Sequence, residues 1–252
     1  MIQPIDNLNR LIEIQRNYGT NKTLKVAGEW SGVAEFHRNA IRNHLPERSK
    51  SAIYNDIPIG KNQRWFDQTV PWKTEGHVPG YKSVNIECVK EAVQKGDHVV
   101  VIGGGQGVTA TAAAQATGEQ GQVTIYEADE SRCSVIRRTL ELNDIENRCT
   151  INRAIVGKPH YLPSDVNTEI IIPPSKLPEC DVLEMDCEGA ELEILQELSM
   201  KPQKLVCETH AEKEYSPYNC ICVLTKILHD MGYITEIEDG KRWAENILVG
   251  TL

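Results

Sequence analysis

From residue 97 to the C-terminus, short apolar runs alternate with amphipathic segments of about ten to fifteen residues. Parallel strands require a crossover segment of this size between them, usually a helix. The alternation therefore predicts an α/β fold built on a mostly parallel sheet. The first five predicted strands lie in the segments DHVVVIGG, QVTIYEAD, RCTINRAIVG, CDVLEMD and QKLVCETH.

The last two predicted strands, YITEIED and RWAENILVGTL, are joined by a short turn at Asp239 and Gly240. Two strands linked this tightly must run antiparallel. The prediction for residues 83–252 is therefore a Rossmann-like domain with a seven-stranded, mostly parallel sheet that ends in an antiparallel hairpin.

Residues 1–82 are predicted to be an extension of helices and ordered loops. SGVAEFHRNAIRNHL has the pattern of a helix, whereas WFDQTVPWKTEGHVPGY is rich in Trp, Pro and Gly and predicts an ordered loop. Eight of the fourteen aromatic residues precede residue 82. Such a segment suits a lid over a binding cleft, and it suits a packed subdomain equally well. If it is a lid, Trp72, His77 and Tyr81 are candidates for contacting a substrate.

The composition favours a soluble, cytoplasmic protein. The net charge of −9 disfavours nonspecific binding to nucleic acid or to an anionic membrane. No apolar run approaches the roughly 20 residues of a membrane helix, and the N-terminus lacks the pattern of a secretory signal. The eight cysteines include no CxxC pair, which predicts reduced thiols.

The segment VVVIGGGQGVTATAAA places three glycines between the first strand and the following helix: Gly103, Gly105 and Gly107. Glycines at such a turn let backbone amides approach a ligand. Glu127, at the end of the next strand, stands about twenty residues on, where a carboxylate hydrogen-bonds a ribose. Gly105–Gly107–Ala110 fits the dinucleotide pattern G-x-G-x-x-G/A, and the three glycines alone fit G-x-G-x-G of S-adenosylmethionine enzymes.

A dense group of carboxylates lies in DVLEMDCEGAELEIL, which opens on the fourth predicted strand and leads into a helix. Read with the glycine loop, it resembles the FkbM-type family of class I S-adenosylmethionine-dependent methyltransferases, whose fourth strand carries a pattern like K-I-D-x-E-G-x-E. Here residues 184–191 read EMDCEGAE. The family's E-x-H pair after the fifth strand is matched by residues 208–210, and its alanine loop by Ala154 in INRAIVG. The resemblance covers roughly residues 83–250.

The resemblance implies the class I methyltransferase fold and O-methylation of a hydroxyl on a small molecule or glycan. The cofactor would be S-adenosylmethionine, with S-adenosylhomocysteine as product. The residues implied to hold it are Gly103, Gly105, Gly107, Glu127, Ala128, Ala154 and Asp186. Asp186 would orient the cofactor or the acceptor, and His210 with Glu208 would act as the base, because an ordinary histidine pKa suits neutral pH.

Glu188 is a further candidate for the substrate side, although acidic residues here also complement a helix dipole. A divalent metal at Asp186 and Glu188 is left open and is not predicted, because no third ligand is spaced suitably. The chain also departs from the family, since Val101 stands where the glycine loop usually begins with an acidic residue.

Three alternatives stay open at this point. An NAD(P)-dependent oxidoreductase would explain the glycine loop and Glu127, but it leaves the acidic segment and the closing hairpin to coincidence. An RNA ribose methyltransferase is permitted by residues 1–81, which carry 11 Lys/Arg against 8 Asp/Glu, but no lysine-rich tetrad is visible. The third is a noncatalytic cofactor-binding subunit. A homodimer is neither predicted nor excluded.

Overall fold

The structure is a computed structural model that describes residues 31–65, 67, 76–157, 170–187, 189–209, 221–239 and 246–252, with scattered positions between 11 and 27. The chain divides into two compact units. The smaller comprises residues 1–54 and 61–79, and the larger comprises residues 55–60 and 80–252.

The helix predicted around residues 31–45 begins as α1 (Val33–Phe36) and continues as a π-helical turn, His37–Ile41, and a 3-10 turn, Arg42–His44. Three strands follow: β1 (Glu47–Tyr54), β2 (Ile57–Arg64) and β3 (His77–Val78). They form a small sheet in the order β2-β1-β3, in which β1 and β3 are parallel.

A buried ion pair lies within the smaller unit. The guanidinium of Arg42 donates two hydrogen bonds to the carboxylate of Asp67, at 2.8 and 3.0 Å. The same carboxylate accepts the backbone N–H of Arg64 at 2.7 Å. A paired and hydrogen-bonded charge avoids the cost of burying an isolated one.

The larger unit contains the elements of the predicted α/β domain. Its helices are α2 (Ser83–Ala92), α3 (Val108–Thr117), α4 (Glu130–Leu142), α5 (Glu191–Glu197) and α6 (Ile221–Asp230). Its strands are β4 (His98–Ile102), β5 (Gln122–Glu127), β6 (Cys149–Arg153), β7 (Ile155–Val156), β8 (Ile171–Ile172), β9 (Val182–Met185), β10 (Lys204–Glu208), β11 (Ile234–Glu238) and β12 (Ile247–Thr251).

Seven of these strands form one sheet in the order β11-β12-β10-β9-β4-β5-β6. β12 runs antiparallel to both of its neighbours, and the other pairings are parallel. The predicted Rossmann-like sheet, mostly parallel and closed by an antiparallel hairpin, is therefore confirmed.

Helices cover both faces of this sheet. Apolar residues of α2, α3 and α4 pack on one face, and those of α5 and α6 pack on the other. Strands buried on both faces read as continuous apolar runs, as β4 does in HVVVI. The first strand of the series, β4, lies in the middle, with β5 on one side and β9 on the other. Ligands of open α/β sheets bind at this switch point, beyond the carboxyl ends of the strands.

Within the described part of the chain, no helix is long and apolar enough to cross a membrane. Six cysteines among the described residues are free thiols, including the fully buried Cys207 of β10. Cys222 is disulfide-bonded, which differs from the prediction that all the cysteines are reduced.

Candidate functional site

The glycine loop connects β4 to α3 at the switch point. Gly103, Gly105 and Gly107 all have positive φ angles, of 91°, 55° and 82°. L-residues rarely adopt this conformation, so the turn itself requires glycine. A Cβ at Gly103 would also collide with the backbone carbonyl oxygen of Asp186. The loop therefore packs directly against the segment that follows β9.

Glu127, the last residue of β5, is tied to this loop. Its carboxylate accepts the backbone N–H of Gly105 at 2.9 Å and that of Asp129 at 3.0 Å. The residue is only 6% exposed. A carboxylate has about four acceptor sites, so two hydrogen bonds leave capacity for ribose hydroxyls.

The two predicted alanines flank Glu127. Ala128 follows it directly and is half-buried. Ala154 is buried, and its N–H donates to the carbonyl oxygen of Glu127 at 3.1 Å. Both positions next to Glu127 therefore carry small side chains.

Asp186 and Glu208 meet at the carboxyl ends of β9 and β10. The parallel register pairs Met185 with Cys207, so the two carboxylates come next in line on the two strands. The ammonium of Lys82, the residue before α2, donates hydrogen bonds to Asp186 Oδ2 and to Glu208 Oε2, the latter at 2.7 Å. We call Lys82, Asp186 and Glu208 the Lys82 cluster.

Lys82 was missed at the sequence level. A basic residue directly before a helix has no chemical signature of its own. Only the docking of α2 against β10 brings it to the two carboxylates.

A fourth ionisable group lies behind the cluster. Side chains alternate along a strand, so Glu184 points to the same face of β9 as Asp186. Asn85, three residues beyond Lys82 on α2, donates from Nδ2 to Glu184 Oε1 at 3.3 Å. Glu184 Oε2 and Asn85 Oδ1 are buried without a hydrogen-bond partner among the described residues.

Burial and neighbouring charge shift the pKa values of this region. Burial is the main cause that raises the pKa of Glu184 to about 8, and the charge of Asp186 adds to it. Burial works against the charge of Lys82, but the attraction of Asp186 and Glu208 outweighs it and raises the pKa of Lys82. At neutral pH Glu184 is therefore uncharged and Lys82 is an ammonium. Burial likewise raises the pKa of Tyr81.

A small pocket, of about 10 Å³, joins the loop to the cluster. It is lined by Tyr81, Lys82, Gly103, Gly104, Gly105, Gln106, Val108, Thr109 and Asp186. A complete small-molecule site usually measures about 300–1,000 Å³, so this pocket by itself encloses no more than a water-sized group. Gln106 Oε1 is buried here without a hydrogen-bond partner among the described residues. It is an acceptor available to a ligand N–H or O–H.

Of the remaining predicted site residues, the structure describes Tyr81 and His77. Tyr81 lines the pocket, whereas His77 lies in β3 of the smaller unit, with Nδ1 buried and unpartnered among the described residues. Trp72, Glu188 and His210 lie outside the described residues. Across the described ranges, no group of three His, Cys, Asp or Glu side chains could hold a metal ion.

No protein-family profile and no curated protein sequence match the chain. Solved structures similar to it include precorrin-6y C5,15-methyltransferase from Geobacter metallireducens GS-15, at 16% identity, with a TM-score of 0.46 over 68% of this chain and 88% of that chain. An O-methyltransferase from Bacillus cereus in complex with SAH is 11% identical, with a TM-score of 0.43 over 68% and 80%. TrmN from Thermus thermophilus is 15% identical, with a TM-score of 0.48 over 68% of this chain and 48% of that chain.

Proposed function

We propose that the chain is an S-adenosylmethionine-dependent methyltransferase that methylates a hydroxyl oxygen of a small molecule or glycan. One observation carries the proposal: Asp186 lines the same pocket as the glycine loop, and Glu127 is hydrogen-bonded to that loop. The carboxylate proposed to bind the ribose and the acidic end of β9 thus both contact the glycine loop.

The residues of this site fit S-adenosylmethionine. Gly105 has open space where a Cβ would stand, so a ligand can approach its backbone. Glu127 has acceptor sites to spare for ribose hydroxyls, and Gln106 offers an unpartnered oxygen. The residues proposed to hold the cofactor are Gly103, Gly105, Gly107, Glu127, Ala128, Ala154 and Asp186.

Charge favours this ligand over a dinucleotide. When bound, S-adenosylmethionine supplies an electrophilic methyl group on a positively charged sulfur. Asp186 and Glu208 bring two carboxylates to the end of the pocket, where Lys82 forms an ion pair with each. A cation is favoured beside carboxylates, whereas the pyrophosphate of NAD(P) is disfavoured there.

The chain's own groups would position the acceptor and take its proton. Asp186 is proposed to orient the acceptor hydroxyl, and His210 with Glu208 is proposed as the base. Lys82 holds its proton too tightly to act as a base at neutral pH. The substrate roles of Trp72, His77, Tyr81 and Glu188 stay predictions from the sequence.

Calorimetric titration of the full chain tests the cofactor. We expect S-adenosylhomocysteine to bind, while NAD⁺ and NADP⁺ give no heat of binding. Binding of NAD⁺ or NADP⁺ without S-adenosylhomocysteine would overturn the proposal.

Oxygen as the acceptor atom is tested with a donor carrying ¹³C in its methyl group. We expect incubation with a panel of phenols, sugars and nucleosides to give a product whose methyl ¹³C shift is that of a methyl ether. His210→Ala should lower turnover by orders of magnitude, since general base catalysis contributes about 10²–10⁴-fold. His229→Ala on α6 is the matched control. A methylamine or thioether product would refute the O-directed assignment.

A further inference from the structure

The hydroxyl of Thr139 joins the glycine loop to a part of the chain that is distant in sequence. Thr139 lies on α4 and is fully buried. Its Oγ1 accepts the backbone N–H of Gly60 at 2.9 Å. The same oxygen lies 2.9 Å from the carbonyl oxygen of Gln106, in the glycine loop. Thr139 therefore bonds to residues 79 and 33 positions before it.

Two carbonyl oxygens lie within reach of the hydroxyl proton of Thr139. They belong to Gln106 and to Val135, each at 2.9 Å, and a hydroxyl has one proton to donate. Val135 lies one turn earlier in α4, and an α-helix bonds such a carbonyl to its own backbone N–H four residues on. Gln106 precedes Gly107, the N-cap of α3, and lies outside the bonding of that helix. The proton is therefore needed at Gln106.

The 55–60 segment, which comprises the turn after β1 and the start of β2, belongs to the larger unit and packs on α4. A Cβ at Gly60 would collide with the carbonyl oxygen of Val135, so only glycine fits there. Asn143 donates from Nδ2 to the carbonyl oxygen of Pro58 at 2.9 Å. The segment is thus held on the helix at both its proline and its glycine.

The glycine loop packs against the same side chain. A Cβ at Gly107 would lie 3.2 Å from the Cβ of Thr139, a close contact. Gln106 lines the pocket, and Gly105 is hydrogen-bonded to Glu127. A bond that holds the carbonyl of Gln106 therefore also restrains the part of the loop that faces the pocket.

We propose that Thr139 is a positioning residue for cofactor binding: its hydroxyl holds the glycine loop in the conformation that binds the ligand, and the 55–60 segment holds that hydroxyl in place. The inference rests on the proposed function. A loop that is already held in its binding conformation loses less freedom when the ligand binds. The 55–60 segment is then part of the cofactor-binding domain, although the sequence predicts that this domain begins at residue 83.

Three substitutions test the role of the hydroxyl. Thr139→Val keeps the shape of the side chain but leaves the N–H of Gly60 and the carbonyl of Gln106 without this partner. Thr139→Ser keeps the hydroxyl. Thr117→Val is the matched control, because Thr117 is 1% exposed, ends α3 and donates from Oγ1 to the carbonyl oxygen of Asp97 at 2.6 Å, away from the loop.

The first measurement is the affinity for S-adenosylhomocysteine, by calorimetry of the full chain. We expect Thr139→Val to weaken binding about tenfold, the effect of one buried hydrogen bond. Thr139→Ser and Thr117→Val should bind nearly as wild type does. Urea unfolding should show a similar loss of stability in both valine variants, so a general loss of stability would not explain a difference in affinity.

The second measurement needs no ligand. The backbone N–H of Gly105 is bonded to Glu127, and that of Gly107 is bonded to the carbonyl oxygen of Gly104. Hydrogen exchange of these two amides, followed by NMR in the ligand-free chain, reports how often the loop opens. We expect faster exchange in Thr139→Val than in Thr117→Val, and exchange close to that of wild type in Thr139→Ser.

The outcomes separate the inference from the proposed function. If wild type binds S-adenosylhomocysteine but the two valine variants bind it equally, or the loop amides exchange equally in both, the inference is wrong and the proposed function stands. If wild type does not bind this ligand, the proposed function fails and the inference fails with it. Should Thr139→Val not fold, Thr139→Cys and Thr117→Cys give the same comparison, because a thiol is a weak donor and acceptor.

Discussion

Glu184 is a buried carboxyl whose ionisation lowers the stability of this fold near neutral pH. It is fully buried on β9, and its main polar contact is the amide of Asn85. A carboxylate in such a place loses its hydration and faces the charge of Asp186. The neutral acid is therefore the native form, and the ionised form destabilises the fold.

This gives a pH-dependent prediction. The pKa of Glu184 is raised from 4.5 to about 8 in the native state, so between these values the native state binds one more proton than the unfolded state. Stability from this group is complete below pH 4.5 and is lost as pH rises toward 8, by up to about 1.4 kcal/mol per pH unit. We expect Glu184→Gln to gain stability relative to wild type as pH increases from 5 to 8.

Urea unfolding at pH 5, 6.5 and 8 measures the difference. Gln at position 184 keeps the contact with Asn85 and can donate to its free oxygen. Glu197→Gln removes an exposed carboxyl from α5 and serves as the control. A stability difference that stays constant from pH 5 to pH 8 would show that Glu184 is not protonated in the native state.

Glu127 gives a second prediction at this scale. Glu127→Gln removes the charge but keeps the size of the side chain. We expect a loss of S-adenosylhomocysteine affinity of about ten- to a hundredfold, because hydrogen bonds to a charged group contribute about 1.5–3 kcal/mol. Glu130→Gln, a few residues on and exposed, should bind as wild type does. Equal affinities for the two variants would mean that Glu127 does not contact the ribose.

The position of a side chain in the fold can be predicted from the sequence when it follows from the strand at whose end the residue lies. Asp186 and Glu208 end neighbouring parallel strands, so their proximity follows from the topology. Lys82 and Glu184 could not be predicted in this way. Lys82 reaches the site only through the docking of a helix, and Glu184 lies in a run that reads as an apolar strand.

At the scale of elements, the glycines of the loop between β4 and α3 differ in their surroundings. Gly103 packs against the backbone of Asp186, whereas Gly105 faces open space. We expect Gly103→Ala to destabilise the fold severely. Gly105→Ala should fold with a loss of about 1–2 kcal/mol, the cost of a left-handed L-residue. It should also weaken S-adenosylhomocysteine binding, since the new methyl group projects over the loop.

Gly32→Ala is the matched control for this loop. Gly32 has a φ of 75° and a ψ of 0°, in the left-handed region, and nothing lies within 4 Å of a Cβ there, but it belongs to the smaller unit, directly before α1. Its backbone cost should resemble that of Gly105→Ala, with unchanged ligand affinity. Urea unfolding and calorimetry measure the two effects. This explanation of the loop is wrong if Gly103→Ala is no less stable than Gly32→Ala.

Among the elements, those of the larger unit could be predicted because their hydrophobic periodicity is strong. The strands β1 and β2 were missed, although they carry a local signal. Asn55 and Asp56 both have positive φ, as a two-residue hairpin turn requires, and Asn and Asp tolerate that conformation. The first four residues of β1, ERSK, are polar and exposed, so the alternation of apolar and polar residues that indicates a strand is absent there.

At the scale of the molecule, sheet order decides which loops can share a site. β4 stands between β5 and β9, so the glycine loop, Glu127 and Asp186 converge although up to 83 residues separate them in sequence. The antiparallel β12 lies beyond β10 and pairs along it as far as Glu208. Strand alternation and a closing turn predicted the mostly parallel sheet and its antiparallel hairpin, whereas the order of the strands comes from the structure. No pattern in the sequence specifies the acceptor.

The central claim is that one pocket brings an adenosyl group to Glu127 and its sulfur end to Asp186. A crystal structure of the chain with S-adenosylhomocysteine tests it directly. We expect the ribose hydroxyls within hydrogen-bond distance of the Glu127 carboxylate and the sulfur on the side of Asp186 and Lys82. Adenosine bound away from Glu127, or a sulfur remote from Asp186, would contradict the claim.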